Sequence, residues 1–107
     1  MDNHYNHFKK IDAHSHIGKF GSPFNIDFDL QRLTEQMEAY NIEKTILCPA
    51  GCHLNEELKT AYQAAPDKII PLCWVNANEG QEAYDMLEHY LRDENFAGVK
   101  MQPLFDA

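Results

Sequence analysis

Two histidines separated by a single residue carry the strongest chemical signal in this sequence of 107 residues. His14 and His16 lie in the segment DAHSH, residues 12–16, which follows a short apolar run beginning at Phe8. Side chains two residues apart on a β-strand point to the same face, so the two imidazoles should project together. Two neutral imidazoles on one face form half of a site for a borderline divalent metal such as zinc. The alternative is a chance pair on a surface strand, since the chain has six histidines.

The elements that position this pair follow from the spacing of apolar residues. Four short apolar runs predict β-strands near residues 8–14, 44–49, 69–76 and 96–101. Between them, apolar residues at helical spacing predict helices near residues 29–40, 54–65 and 80–92. A segment rich in turn-forming residues, 18–25, separates the first strand from the first helix.

The ends of the predicted helices carry residues suited to capping. Asp27 or Asp29 is expected to cap the start of the first helix, and Asn55 to cap the start of the second. Asn41 can adopt the left-handed conformation that ends the first helix. These residues therefore bound the first two helices.

The order β-α-β-α-β-α-β predicts an α/β fold built from parallel (β/α) units, because each crossover helix returns the chain to the same end of the sheet. Continuous apolar runs are typical of strands buried on both faces. A closed (β/α)₈ barrel needs eight such units and about 250 residues. We therefore expect a single domain over residues 1–107 with about four strands, an incomplete, TIM-barrel-like half barrel. The two histidines then lie at the carboxyl end of the first strand, where active sites of such folds are found.

Charge and composition exclude several classes of protein. Nine Lys and Arg residues against 17 Asp and Glu residues give a formal net charge of -8, which argues against a nucleic-acid partner. No apolar stretch approaches the roughly 20 residues needed to span a membrane. Three cysteines and a polar N-terminus without a secretory signal predict reduced thiols and a cytoplasmic location.

Residues 11–18, IDAHSHIG, resemble the first-strand metal motif of the amidohydrolase superfamily. Several later segments resemble its amidohydrolase-related branch, which also contains metal-dependent decarboxylases. In chain order these segments are residues 41–47, 66–70, 74–76 and 96–103. Two positions depart from the usual pattern of the branch, since Asn41 stands where glycine is common and Gln102 replaces a frequent histidine. The resemblance runs from Ile11 to the end of the chain and corresponds to the N-terminal half of a family barrel.

The resemblance implies a deformed barrel that holds zinc or another divalent ion, with His14 and His16 as ligands at about 2.0–2.1 Å. The metal would lower the pKa of a bound water and polarise a substrate carbonyl. The family takes two further histidines from its fifth and sixth strands and a catalytic aspartate from its eighth. Because these lie beyond the four predicted strands, we assign no catalytic residue here. We expect the chain alone to bind metal weakly and to show negligible turnover.

Three further candidates are weaker. Lys100, on the fourth predicted strand, is a candidate for binding an anionic substrate, and the alternative is ordinary packing beside an acidic residue. Asp12 shares a face with the two histidines and is expected to orient one imidazole through a hydrogen bond. A loosely zinc-like spacing joins Cys48, Cys52 and His53, but no second cysteine pair completes four ligands.

Three functions stay open from the sequence. The leading hypothesis is the N-terminal portion of a metal-dependent, amidohydrolase-like hydrolase that acts on a small molecule through metal-activated water. The second is a metal-dependent decarboxylase, a lyase, of the same fold. The third is a non-catalytic half barrel that binds a metal or a partner. Because unpaired parallel edges and uncovered apolar faces promote association, we also expect the isolated chain to self-associate.

Overall fold

The computed structural model describes residues 5–106, in which the strands of one parallel sheet are separated by helices and a small hairpin precedes the first helix. In chain order the elements are β1 (Lys10–Ser15), β2 (Gly18–Phe20), β3 (Ile26–Phe28), α1 (Leu30–Ala39), β4 (Ile42–Leu47), α2 (Asn55–Ala64), β5 (Ile69–Trp74), α3 (Gln81–Glu88), β6 (Gly98–Lys100) and α4 (Pro103–Asp106). Short 3₁₀ turns precede α2 and α3, at Cys52–Leu54 and Ala77–Glu79, and α3 continues into a π-helical segment, His89–Asp93.

A parallel sheet forms the centre of the fold. Its strands lie in the order β1-β4-β5-β6, and each neighbouring pair is parallel. The intervening helices return the chain to the same end of the sheet, as parallel pairing requires. The predicted α/β class and the sequential order of four parallel strands are therefore confirmed. The sheet is curled into a half barrel with its helices outside, and the carboxyl ends of all four strands lie at one end.

The core lies between the helices and the convex face of this sheet. Each helix contributes residues spaced three or four apart, which form one apolar stripe. The buried members of the core include Leu33, Met37, Leu58, Ala61, Ala83 and Tyr90 from the helical segments, with Leu47, Ile69 and Cys73 from the strands. Within residues 5–106, no helix has the length and apolar character needed to cross a membrane.

The expected helix boundaries are found for α1 but not at the start of α2. Asp29 caps α1, since its Oδ1 accepts the backbone N–H of Arg32 at 2.9 Å. Asn41 follows α1 with a φ of +55°, in the left-handed region, as expected. The expected cap at Asn55 is wrong, because its side chain turns away from the helix end and is buried against β5. Leu54 occupies the cap position instead, without a capping side chain.

The turn-rich segment contains a small hairpin that the sequence did not predict. Strands β2 and β3 pair antiparallel, from Gly18 opposite Phe28 to Phe20 opposite Ile26. Three residues per strand are too few to show an alternating pattern, so only the turn signal was visible. The hairpin directly follows the two histidines and therefore lies at the carboxyl end of β1.

The thiols of Cys52 and Cys73 differ in exposure to solvent, and we expect them to differ in reactivity. Cys73 has no exposed surface, and burial raises the pKa of its thiol to about 11. Cys52 is partly exposed, although burial and nearby carboxylates also raise its pKa. Because the thiolate is the reactive form, we expect iodoacetamide at pH 8 to modify Cys52 at least about 100-fold faster than Cys73 in the native chain. Peptide mass spectrometry over time measures both rates. Equal rates without denaturant would contradict the burial of β5.

Candidate metal site at the first strand

The two predicted metal ligands lie side by side at the carboxyl end of β1. His14 belongs to the strand, and His16 follows its last residue. Their Nε2 atoms are 2.8 Å apart, and the ring centroids are separated by 4.7 Å. His14 is exposed and His16 is half-buried, so the pair opens toward solvent on one side. The two imidazoles can therefore reach one common ion, while their role as ligands stays a prediction.

The proton on the His16 ring is fixed by a neighbouring strand. Its Nδ1 lies 2.6 Å from the carbonyl oxygen of Cys48, just beyond the end of β4. A carbonyl oxygen can only accept, so Nδ1 carries the hydrogen and donates it. The lone pair of the neutral ring is then on Nε2, the atom that faces His14. Metal-binding histidines commonly have this arrangement, with one ring nitrogen donating to a carbonyl and the other free.

The separation of the facing nitrogens suits a shared cation. A lone pair that faces another imidazole nitrogen at 2.8 Å is satisfied either by a proton between the rings or by a metal bound to both. Ligand distances of about 2.0–2.1 Å place two nitrogens of one ion roughly 3 Å apart. Among residues 5–106, no group of three His, Cys, Asp or Glu side chains is arranged to hold a metal. The described residues thus supply two imidazole ligands.

The Asp12 carboxylate makes a hydrogen bond with the main chain of His14. Its Oδ1 accepts the main-chain N–H of His14 at 3.0 Å, and the described residues show no hydrogen bond from Asp12 to either imidazole. The expectation that Asp12 orients a ring therefore has no support among the described residues. The carboxylate instead fixes the main chain that carries His14.

Lys100 ends β6, opposite Trp74 of β5. Its side chain is half-buried, and no acidic group of the described residues lies within 4.0 Å of its ammonium. Burial raises the pKa of the Cys48 thiol, while the Lys100 ammonium lowers it and the Asp12 carboxylate raises it. Lys100 and Asp12 are therefore both close enough to Cys48 to influence its thiol. Ordinary pairing of Lys100 with a carboxylate has no support in this part of the chain.

The zinc-like spacing of cysteines does not assemble a site. The Cys48 thiol points to the carbonyl of Ile46 at 4.0 Å, whereas the Cys52 thiol points to the carbonyl of Trp74 at 3.6 Å. His53 is exposed beside them. Within the described residues these side chains form no cluster of three metal ligands.

A polar clamp (Asn55, Trp74 and Asp106) supports the same end of the barrel and was missed from the sequence. The Asn55 amide donates to the carbonyl of Trp74 at 2.9 Å and accepts its N–H at 2.8 Å. The Trp74 indole N–H donates to the Asp106 carboxylate at 3.0 Å, which holds α4 over the end of β5. An asparagine at a helix start ordinarily indicates a cap, and no local pattern reveals partners 19 and 32 residues away.

Comparison with known proteins identifies the fold. No family model and no curated protein matches this sequence. The structure is similar to 5-carboxyvanillate decarboxylase from Novosphingobium aromaticivorans, solved with bound manganese and 3-methoxy-4-hydroxy-5-nitrobenzoic acid. The TM-score is 0.76 at 16% identity, over 91% of this chain and 42% of that chain. It is also similar to 2,6-dihydroxybenzoate decarboxylase from Rhizobium, with a TM-score of 0.62 at 18% identity, over 85% of this chain and 36% of that chain.

The chain therefore spans less than half the length of either neighbour. Both neighbours are named as decarboxylases. At these identities the similarity establishes the fold alone, and it agrees with the resemblance of residues 11–18 and the later segments. The chain has the fold of part of these two decarboxylase structures, a half barrel of four parallel strands with helices outside.

Proposed function

We propose that this chain contributes His14 and His16 to the divalent-metal centre of a decarboxylase that acts on a small aromatic carboxylic acid. The observation that carries the proposal is the pair of Nε2 atoms 2.8 Å apart, with the His16 ring fixed by the Cys48 carbonyl. Support for decarboxylation comes from the two structural neighbours, both named as decarboxylases of substituted benzoates.

The residues of this chain have separate roles in the proposed centre. A divalent metal, when bound, supplies a Lewis acid for a substrate oxygen. His16 keeps its Nδ1 hydrogen on the Cys48 carbonyl, so its ring serves as a neutral ligand and does not transfer protons. Asp12 holds the main chain of His14. Lys100 presents a cation with no acidic partner among the described residues, and this cation attracts the carboxylate of an anionic substrate.

Zinc and manganese are both candidates for the metal. Imidazole ligands suit zinc, which also binds more tightly than manganese to a given set of donors. One structural neighbour was solved with bound manganese. We propose that the site binds both ions and prefers zinc. The proposed cytoplasmic location is supported by the three free thiols of the described residues.

Two other functions have specific support. Hydrolysis through metal-activated water would use the same two imidazole ligands, so the first-strand histidine pair supports it equally. A non-catalytic, metal- or partner-binding half barrel is favoured because the described residues bring together only two ligands. The half-buried cation of Lys100 favours a carboxylate substrate over a neutral amide.

Ligand selectivity tests the proposal without requiring turnover. We expect the Mn²⁺-loaded chain to bind 2,6-dihydroxybenzoate about tenfold more tightly than 2,6-dihydroxybenzamide, because only the acid carries a charge that Lys100 and the metal attract. Calorimetry measures both affinities, and the K100A variant should lower the preference to the part that the metal provides, while K100R keeps most of it. A preference for the amide would favour the hydrolase, and equal binding with and without metal would contradict a metal-centred site.

A further inference from the structure

A hydroxyl pair (Ser15 and Thr45) ties β1 to β4 beside the two histidines. Ser15 lies between His14 and His16 in the chain, but its hydroxyl has different partners from the imidazoles. Its Oγ lies 2.5 Å from Oγ1 of Thr45 and donates to the carbonyl of Ile46 at 3.3 Å. Thr45 belongs to β4 and is fully buried. The residue between the two predicted ligands is therefore anchored to a buried part of the neighbouring strand.

The protons of the hydroxyl pair can be assigned from its partners. Each hydroxyl has a single proton to donate. The Ser15 proton is engaged with the Ile46 carbonyl, so Thr45 donates its proton to the Ser15 oxygen. Among the described residues, no other acceptor lies within hydrogen-bond distance of the Thr45 hydroxyl. The buried Thr45 hydroxyl therefore depends on Ser15 for its hydrogen bond.

The hydroxyl pair lies at an irregularity in the pairing of β1 with β4. Asp12 lies opposite Thr45, and Ser15 lies opposite Leu47, so β1 advances three residues while β4 advances two. One extra residue in a strand forms a β-bulge, which bends the strand and redirects its side chains. The hydrogen bond between Ser15 and Thr45 spans this bulge and holds its two strands together.

The register at the bulge decides which carbonyl meets His16. The Cys48 N–H donates to the Ser15 carbonyl at 2.8 Å, and the Cys48 carbonyl accepts the Nδ1 hydrogen of His16 at 2.6 Å. A shift of one residue between the strands would take the Cys48 carbonyl away from the ring. The anchor at Ser15 therefore controls a contact of the histidine next to it.

We propose that the hydroxyl pair positions the two imidazoles by holding the bulge in the register that sets His16 against the Cys48 carbonyl, with its Nε2 toward His14. In the described part of the chain neither hydroxyl bonds to an imidazole, so both act through the main chain of β1. The effect on metal binding rests on the proposed metal centre. The effect on the rings is a property of the metal-free chain.

Substitutions at the hydroxyl pair separate its hydrogen bond from the packing of Thr45. T45V removes the hydroxyl and keeps the β-branched shape, whereas T45S keeps the hydroxyl and removes a buried methyl group. S15A removes the same hydrogen bond from the β1 side. The matched control is T60V, because the exposed Thr60 hydroxyl donates to the Glu56 carbonyl at 3.1 Å on α2, away from the histidines.

Histidine NMR of the metal-free chain measures the positioning itself. Long-range proton–nitrogen spectra of the native chain should show the His16 hydrogen on Nδ1. T45V and S15A should show a mixture of the two tautomers, whereas T45S and T60V should keep the native pattern. Equilibrium dialysis should show that T45V and S15A bind Zn²⁺ at least about tenfold more weakly than the native chain, with T45S within about threefold of it.

Circular dichroism establishes that each variant is folded before its spectra are compared. Folded T45V and S15A chains that keep the native tautomer would overturn the proposal. A T45S chain that loses the tautomer as T45V does would also overturn it, because packing and not the hydroxyl would then be responsible. If T45V does not fold, S15A decides the question from β1. A native chain that binds no Zn²⁺ would contradict the proposed metal centre, and the tautomers would still decide the positioning.

Discussion

The H14A/H16A double variant is expected to take up no Mn²⁺ or Zn²⁺ under conditions in which the native chain binds one ion. The two Nε2 atoms that lie 2.8 Å apart belong to these rings, and no third ligand of the described residues stands beside them to retain the ion. Each single variant should weaken binding at least about 10- to 100-fold, because one imidazole alone is a poor site. Equilibrium dialysis followed by elemental analysis measures the stoichiometry.

A second histidine provides the control for this experiment. His89 lies 3.3 Å from the Asp93 carboxylate and 3.6 Å from the Glu94 carboxylate on the outside of the barrel, which makes it the best-placed competitor for a cation. The H89A variant should bind metal as the native chain does. If the double variant keeps full stoichiometry, or if H89A loses the metal, the site is not at β1.

The N55A variant is expected to lower the free energy of unfolding by about 2–4 kcal/mol. Asn55 is 1% exposed, and its amide satisfies both the N–H and the carbonyl of Trp74. Removing it takes the amide partner from two buried main-chain groups and leaves the weak thiol donor of Cys52 on the carbonyl, at about 1–3 kcal/mol for each lost hydrogen bond when no water replaces it. Urea denaturation at one fixed protein concentration measures the change.

Asn78 offers a matched asparagine in an exposed position. Its amide donates to the carbonyl of Asp106 at 2.8 Å, at the same end of the barrel. Because solvent can replace this partner, N78A should cost less than about 1 kcal/mol. Equal losses for N55A and N78A would show that the clamp at Trp74 does not stabilise the fold as described.

The strands and helices were largely predictable because each buries a continuous apolar face. The predicted ends of strands and helices were wrong where a contact with a distant part of the chain sets the end. Residues 96–101 read as one apolar strand, yet Phe96 is buried in the core with its N–H on the carbonyl of Tyr90, and β6 begins only at Gly98. Similarly, the predicted third helix changes to π-helical geometry at His89, which apolar spacing does not reveal.

The sequence predicted the side chains of the candidate site, but it did not predict the main-chain contact that holds one of them. The spacing of His14 and His16 was enough to place both rings on one side. The carbonyl of Cys48 that fixes His16 could not be predicted, because every residue has a carbonyl and only the register of β1 against β4 selects this one. That register is irregular between Asp12 and Ser15, so no regular alternation would have supplied it. The surroundings of Lys100 depend in the same way on how the sheet curls.

The most direct test of the metal centre is a crystal structure of the chain grown with Mn²⁺, with anomalous difference density collected for manganese. The account predicts one strong peak bonded to Nε2 of both His14 and His16, with the His16 Nδ1 still donating to the Cys48 carbonyl. A peak bound elsewhere, such as between His89 and Asp93, with none at the β1 pair would contradict it.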